Sequence, residues 1–227
     1  MQQSALNLIA VGVFTMTLTC LLGPLLNISP VIPAAATATI MGLATIDTLS
    51  WENRGTTLLL DILSSPQQRQ RVIHHEAGHF LAAYFLGIPI TGYTLTAWEA
   101  WRQGQPGRGG VTFDTEALMA KPFNLEQMRL TLERFCTVWM AGIAAEKIVY
   151  GNVEGGAEDR EKVKAALTLA GLPEKVYAQK ERWAQLQATT LLEKYQKSYE
   201  ALVAAMEARA SVEECCQAIQ QHCQQEG

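Results

Sequence analysis

The sequence predicts a mainly helical domain that carries a small β-hairpin and is preceded by one or two N-terminal apolar segments. Apolar residues recur at helical spacing over most of the chain after Pro66, and the runs begin or end on capping residues. β-Branched alternation is confined to two short stretches, Ile90 to Thr96 and Gly110 to Phe113. No charged side chain precedes Asp47.

The 227 residues allow one ordinary domain plus an extra segment, and that segment lies at the amino end. Leu6 to Leu22 is a continuous apolar run which, with Leu25, Leu26 and Ile28 behind it, has about the length needed to cross a bilayer. Gly23-Pro24 and Pro30 to Pro33 break it, and a shorter Ala- and Thr-rich run follows from Ala34 to Ile46. Ala34-Ala35-Ala36 also resembles a signal-peptide cleavage site, but Met1 to Ser4 carries no Lys or Arg and the apolar run is longer than a signal needs. The expectation is a retained membrane anchor over residues 1–46 that contacts lipid, a connector over 47–64 and a domain over 65–227.

The stretch around which the chain is organised is His75-Glu76-Ala77-Gly78-His79. On a helix, residues four apart lie one above the other, so His75 and His79 can aim both imidazoles at one point with Glu76 beside it. This is the spacing of a zinc site with its general base. Zinc lowers the pKa of its bound water to roughly 7, and Glu76 would take the proton as that water attacks a carbonyl. The helix is bounded by Ser65-Pro66-Gln67-Gln68, a capping serine with proline at the first helical position, and by Leu86-Gly87-Ile88-Pro89 at its other end. Ala77 and Gly78 leave room for another element to approach closely.

After this helix, Ile90 to Thr96 and Gly110 to Phe113 read as an antiparallel hairpin, joined by a glycine-rich turn from Gly104 to Gly110 and a connection carrying Trp98 and Trp101. An exposed edge of the hairpin would pair with an extended peptide. Asn124-Leu-Glu-Gln127 repeats the capping signature and opens a long helix to Tyr150. That helix is apolar on every side between Phe135 and Ala145, so it should be central, with Gly142, Ala144 and Ala145 allowing tight packing. A glycine turn leads into a helix from about Glu158 to Ala170, closed by Gly171 and Pro173. Amphipathic helices follow from Glu174 through Ala210, with a last one from about Val212.

A catalytic zinc takes three protein ligands and one open position. Glu146 and Asp159 compete for the third place. Asp159 is preferred, because a helix amino terminus keeps a carboxylate ionised and the preceding glycines let it approach. Glu146 remains a rival ligand, or an acid that supports the site or caps a helix.

The net charge of −4 gives no electrostatic footprint for nucleic acid. Cys20, Cys136, Cys215, Cys216 and Cys223 form no obvious disulfide framework, which fits a reducing compartment. The cluster Cys215, Cys216, His222, Cys223 lacks C-x-x-C spacing and reads as helical packing rather than a second metal site.

His75-Glu-Ala-Gly-His79, Ala141-Gly-Ile-Ala-Ala-Glu146 leading to Tyr150-Gly151, and Gly156-Ala-Glu-Asp159 together resemble the peptidase domain of the FtsH family of membrane-bound zinc proteases. The resemblance runs from about Pro66 into the C-terminal helices. It implies a zincin-like helical fold with a small β element, a bound Zn2+, and peptide-bond hydrolysis. By position, His75, His79 and Asp159 would bind zinc and Glu76 would be the base. Gly110, Val111, Thr112 and Phe113 best match the edge along which the family binds protein or peptide substrates. Three departures accompany it. Ile143 stands where the family has an arginine, the hairpin holds an insertion around Trp98 to Gly107, and no G-x-x-x-x-G-K-[ST] occurs. The resemblance therefore implies either cleavage of accessible peptides without ATP, or an ATPase borrowed in trans through hexamer-like association. The alternative of another class is a membrane scaffold or assembly factor that keeps the fold without turnover.

Overall fold

The computed structural model describes residues 2–23, 29, 31–50, 54–105, 110–114 and 125–223. The chain is mainly helical with one two-stranded antiparallel sheet. It divides into two compact units, one of residues 1–65 with 96–109 and the other of 66–95 with 110–227.

The first unit contains α1 (Gln2–Leu22), α2 (Val31–Ser50), α3 (Arg54–Ile62) and the short α5 (Ala97–Arg102). Among the described residues, no helix is long and apolar enough to cross a membrane, so the membrane-anchor expectation gains no support. Pro24 and Pro30, where breaks are expected, lie outside the described residues, but Val31 to Pro33, expected to continue the second break, form the first turn of α2, where a proline lacks only an amide that has no partner within the helix. Thr15, Thr17 and Thr19 in α1, and Thr37 and Thr39 in α2, turn their hydroxyls back onto the carbonyls four residues earlier, which satisfies these polar groups within each helix. The stretch 54–62, expected as a connector, is helical, and Asp47 Oδ1 accepts the Gly55 amide at 2.7 Å near its start. Thr96, expected to close a strand, instead caps α5 by accepting the Glu99 amide at 3.1 Å. Trp98 and Trp101 on α5 pack ring on ring with centroids 4.9 Å apart and remain about half exposed.

The second unit is built on α4 (Pro66–Leu86) and α6 (Leu125–Tyr150). Helix α4 ends as its glycine predicts. Gly87 takes a positive φ of 68°, the Gly87 amide returns to the Tyr84 carbonyl, the Ile88 amide returns to Ala83, and Ile88 is buried. The capping signature expected at Asn124 lies outside the described residues, as does the turn at 106–109. The two long helices meet where their side chains are smallest. A β-carbon on Gly78 would sit 2.5 Å from the Ala141 carbonyl oxygen and 2.8 Å from Ala145 Cβ, so only glycine allows the approach.

Around this pair lie α7 (Ala157–Leu169), α8 (Tyr177–Lys194), α9 (Gln196–Glu207) and α10 (Val212–Cys223). Two apolar clusters hold them. Phe80, Leu81, Val138, Leu192, Leu202, Met206 and Ile219 join α4, α6, α8, α9 and α10, while Met140, Ile143, Val163, Leu167 and Ala184 join α6, α7 and α8. The hairpin comprises β1 (Ile90–Tyr93) and β2 (Val111–Phe113), antiparallel with Ile90 opposite Phe113 and Tyr93 opposite Val111, and with a bulge between Ile90 and Gly92. It is shorter than its β-branched sequence suggests: past Tyr93 one backbone bond remains, the Thr94 amide to the Gly110 carbonyl at 3.1 Å, and the return bond goes to a side chain. The Gly110 amide donates to Thr94 Oγ1 at 2.9 Å.

Candidate metal centre

Helix α4 brings His75 and His79 onto one side, where both rings are buried and stand at 79° with centroids 4.7 Å apart. Helix α7 brings the buried Asp159 to them. Its Oδ2 lies 3.0 Å from His75 Nε2 and 3.4 Å from His79 Nε2. Among the described residues these three form a group able to hold a metal ion, with one ligand atom from each within 4.8 Å of the others. Tetrahedral ligands at roughly 2.0–2.1 Å from zinc stand about 3.3 Å apart, a spacing these contacts approach.

Each imidazole is fixed from behind. His75 Nδ1 lies 2.8 Å from Glu146 Oε1 and His79 Nδ1 lies 2.7 Å from the Val138 carbonyl. A carboxylate and a carbonyl can only accept, so both Nδ1 atoms carry a hydrogen, and with no metal bound His75 Nε2 also donates, to Asp159; a cation taking that hydrogen's place would meet the Nε2 lone pairs. The floor beneath them is Gly142 of α6, where a β-carbon would sit 2.5 Å from His75 Nε2 and 2.6 Å from His79 Nε2.

The electrostatics of this cluster call for a positive charge. Burial disfavours a charged His75, but hydrogen bonds to Asp159 and Glu146 and the charges of Glu76 and Asp159 outweigh it, raising the imidazole to about 10. Burial pushes the Asp159 carboxyl up, yet the charge at His79, hydrogen bonds from both imidazoles and Lys162 hold it well below the usual carboxylate range. A divalent cation at the Nε2 atoms would supply the charge that a proton otherwise does.

Glu146 is 1% exposed and saturated with donors. Besides His75 it accepts Arg71 Nη1 at 2.9 Å, the Glu154 amide at 2.8 Å and the Gly155 amide at 3.1 Å. Burial raises its carboxyl, but these hydrogen bonds from His75, Glu154 and Arg71 bring it down to about 2. Both oxygens are thus engaged on the Nδ1 side of His75, away from Asp159. Glu76 occupies a different place, with Oε2 accepting the Val111 amide of β2 at 3.1 Å. Gly110 permits that approach, since its φ is 134° and a β-carbon there would lie 3.0 Å from the same oxygen.

The remaining expected residues fall as follows. Thr112 Oγ1 accepts from Thr91 Oγ1 at 3.1 Å across the hairpin, and the Phe113 ring packs edge-on against Phe135 of α6. His74 turns away from the pair, with Nδ1 2.9 Å from Tyr199 Oη. His222 bonds the Ala218 carbonyl, and Cys215 is buried. Ile143, the position where an arginine was expected, is buried under Gly156, whose φ of 79° turns the chain into α7 and whose missing side chain leaves room for that isoleucine. Sequence reasoning did not single out Arg71, the Val138 carbonyl or the role of Gly142 as a floor. Arg71 alone had a local signal, since it precedes His75 by one helical turn.

No protein-family profile matches the chain. It is similar to ATP-dependent zinc metalloprotease FtsH 1 of Methylacidiphilum infernorum, at 30% identity over 108 residues that cover 47% of this chain and 15% of that protein. It is also similar to ATP-dependent zinc metalloprotease FtsH of Marinobacter nauticus, at 27% identity over 132 residues that cover 56% of this chain and 19% of that one. The chain thus matches less than a fifth of the length of these curated relatives.

Proposed function

We propose that this protein is a zinc-dependent endopeptidase whose site is built from His75, His79, Asp159 and Glu76. The observation that carries the reading is the convergence of two imidazole Nε2 atoms and one carboxylate oxygen at 3.0 and 3.4 Å, with a glutamate next to the first histidine on the same helix. A zinc ion held there supplies Lewis acidity toward water and a carbonyl oxygen.

The chain's own groups do the rest. His75 and His79 present neutral Nε2 lone pairs because Glu146 and the Val138 carbonyl occupy the opposite nitrogens. Asp159 supplies the third, anionic ligand. Glu76, anchored through Oε2 on the Val111 amide, uses its other oxygen to take a proton from the attacking water and hand it to the leaving amine. Strand β2, Val111 to Phe113, with Gly110 before it, is the edge along which an extended peptide would lie, which favours peptides over other acyl substrates. The similarity to FtsH zinc metalloproteases supports the same chemistry. Whether an ATPase acts in trans or accessible peptides are cut directly belongs to the same proposal.

The test is cleavage of unfolded casein together with bound-zinc analysis, for the wild type and Glu76→Gln. Wild-type cleavage, abolished in Glu76→Gln with zinc retained, supports the hydrolase. Zinc retained with no wild-type cleavage favours a scaffold that keeps the fold.

A further inference from the structure

The two halves of the metal centre come from different parts of the chain, His75 and His79 from α4 and Asp159 from α7. The 151–156 loop joins α6 to α7 and so determines where Asp159 stands. One side chain bridges these parts. Arg71 lies one turn before His75 on α4, its side chain 16% exposed, and its guanidinium reaches the loop at Asn152 and Glu154. Nη1 donates to Glu146 Oε2 at 2.9 Å and to the Asn152 carbonyl at 3.3 Å, and Nη2 donates to Asn152 Oδ1 at 2.9 Å and faces Glu154 Oε1 at 3.4 Å. The guanidinium carbon stands 4.3 Å over the Tyr150 ring. The loop replies through the Glu154 and Gly155 amides, which close on the same Glu146 carboxylate that holds His75.

From this arrangement we infer that Arg71 is a positioning residue, which locks the 151–156 loop onto Glu146 and thereby sets both the His75 ring and the approach of Asp159. A planar fork with several donors is needed, because four acceptors in different directions and an aromatic face are engaged at once. A lysine presents a single point charge and cannot replace it. The inference deepens the hydrolase reading, on which its metal readouts rest. Its loop readout stands apart from that reading.

The test compares full-length wild type with Arg71→Lys, Arg71→Ala and Asn152→Ala. Amide exchange at Glu154 and Gly155 is followed by NMR, zinc affinity by chelator competition, cobalt substitution by its visible absorption spectrum, and folding by circular dichroism and melting. With helicity retained, exchange at the two amides should quicken at least about tenfold in Arg71→Ala, zinc affinity should fall roughly 10–100-fold, and the cobalt spectrum should change. Arg71→Lys should restore little, and Asn152→Ala should fall between. Exchange within twofold of wild type in Arg71→Ala overturns the inference, as does a lower melting temperature with unchanged affinity and spectrum, which would mark a merely structural arginine. If Arg71→Ala fails to fold, Arg71→Lys and Asn152→Ala decide on the same criteria. A wild type that takes up no metal would sink the hydrolase reading, while amide exchange would still decide the role of Arg71.

Discussion

Glu146 holds His75 from the side opposite Asp159: Oε1 meets Nδ1 at 2.8 Å, while Asp159 Oδ2 meets Nε2 at 3.0 Å. The two acids that compete in the sequence therefore act on different nitrogens of one ring. Asp159→Asn should remove most of the bound zinc, because the amide offers a weaker, neutral ligand. Glu146→Gln should lower affinity by about 10–100-fold and leave some metal bound. Metal analysis after dialysis checks the order, and a greater loss from Glu146→Gln would mean that the assignment is inverted.

Gly142 forms the floor under both imidazoles, with a would-be β-carbon 2.5 and 2.6 Å from the ring nitrogens. Gly142→Ala should therefore abolish zinc uptake while α6, which favours alanine over glycine, stays helical. Wild type with zinc at one hundred times its Kd should gain about 2.7 kcal/mol over the chelated protein. For a domain of this size that is a rise of roughly 5–10 °C in melting temperature. Thermal scans with and without chelator check this, and Gly142→Ala should show no such shift.

The Glu76 carboxylate rests on the Val111 amide only because Gly110, at a φ of 134°, brings the backbone beside it. Gly110→Ala would strain the turn and push the carboxylate aside. Casein cleavage should fall about 10–100-fold with zinc content unchanged, a share of the factor that general-base catalysis contributes. Equal loss of zinc and cleavage would instead point to damage throughout the site.

Helix α10 opens on a reciprocal cap, in which Glu214 Oε2 accepts the Ser211 amide at 2.7 Å and Ser211 Oγ accepts the Glu214 amide at 3.3 Å. These two bonds hold the exposed Glu214 carboxyl below its ordinary value. Because the folded form binds the proton more weakly than the unfolded chain, the cap supports the helix above the usual glutamate range near 4.3 and is lost as pH falls through the lower folded value. Amide protection factors in the first turn of α10 should accordingly decline between about pH 5 and pH 3 in wild type, and should be flat over that range in Glu214→Gln.

The helices were legible in the sequence because their signals are local. Pro66 and Gly87 bound α4, the β-carbon-free contact of Gly78 marks a close helix crossing, and the four-residue spacing of His75 and His79 needs only a helix to bring the rings together. Thr96 misled for a local reason too, since the same β-branched residue that suits a strand makes a good helix cap once the backbone pairing ends at Thr94. Other features depended on distant partners that spacing alone does not specify. Gly142 sits 67 positions after His75 in the chain yet lies under its ring, and Arg71 reaches Asn152 and Glu154 only because α4 and α6 cross at small residues. The sequence by itself determined the helix, the histidine pair and the neighbouring glutamate, since 3.6 residues per turn settles their arrangement. Only the tertiary structure decided which acid faces the pair, because that depends on how the 151–156 loop closes on Glu146 and carries Asp159 to the opposite face of His75.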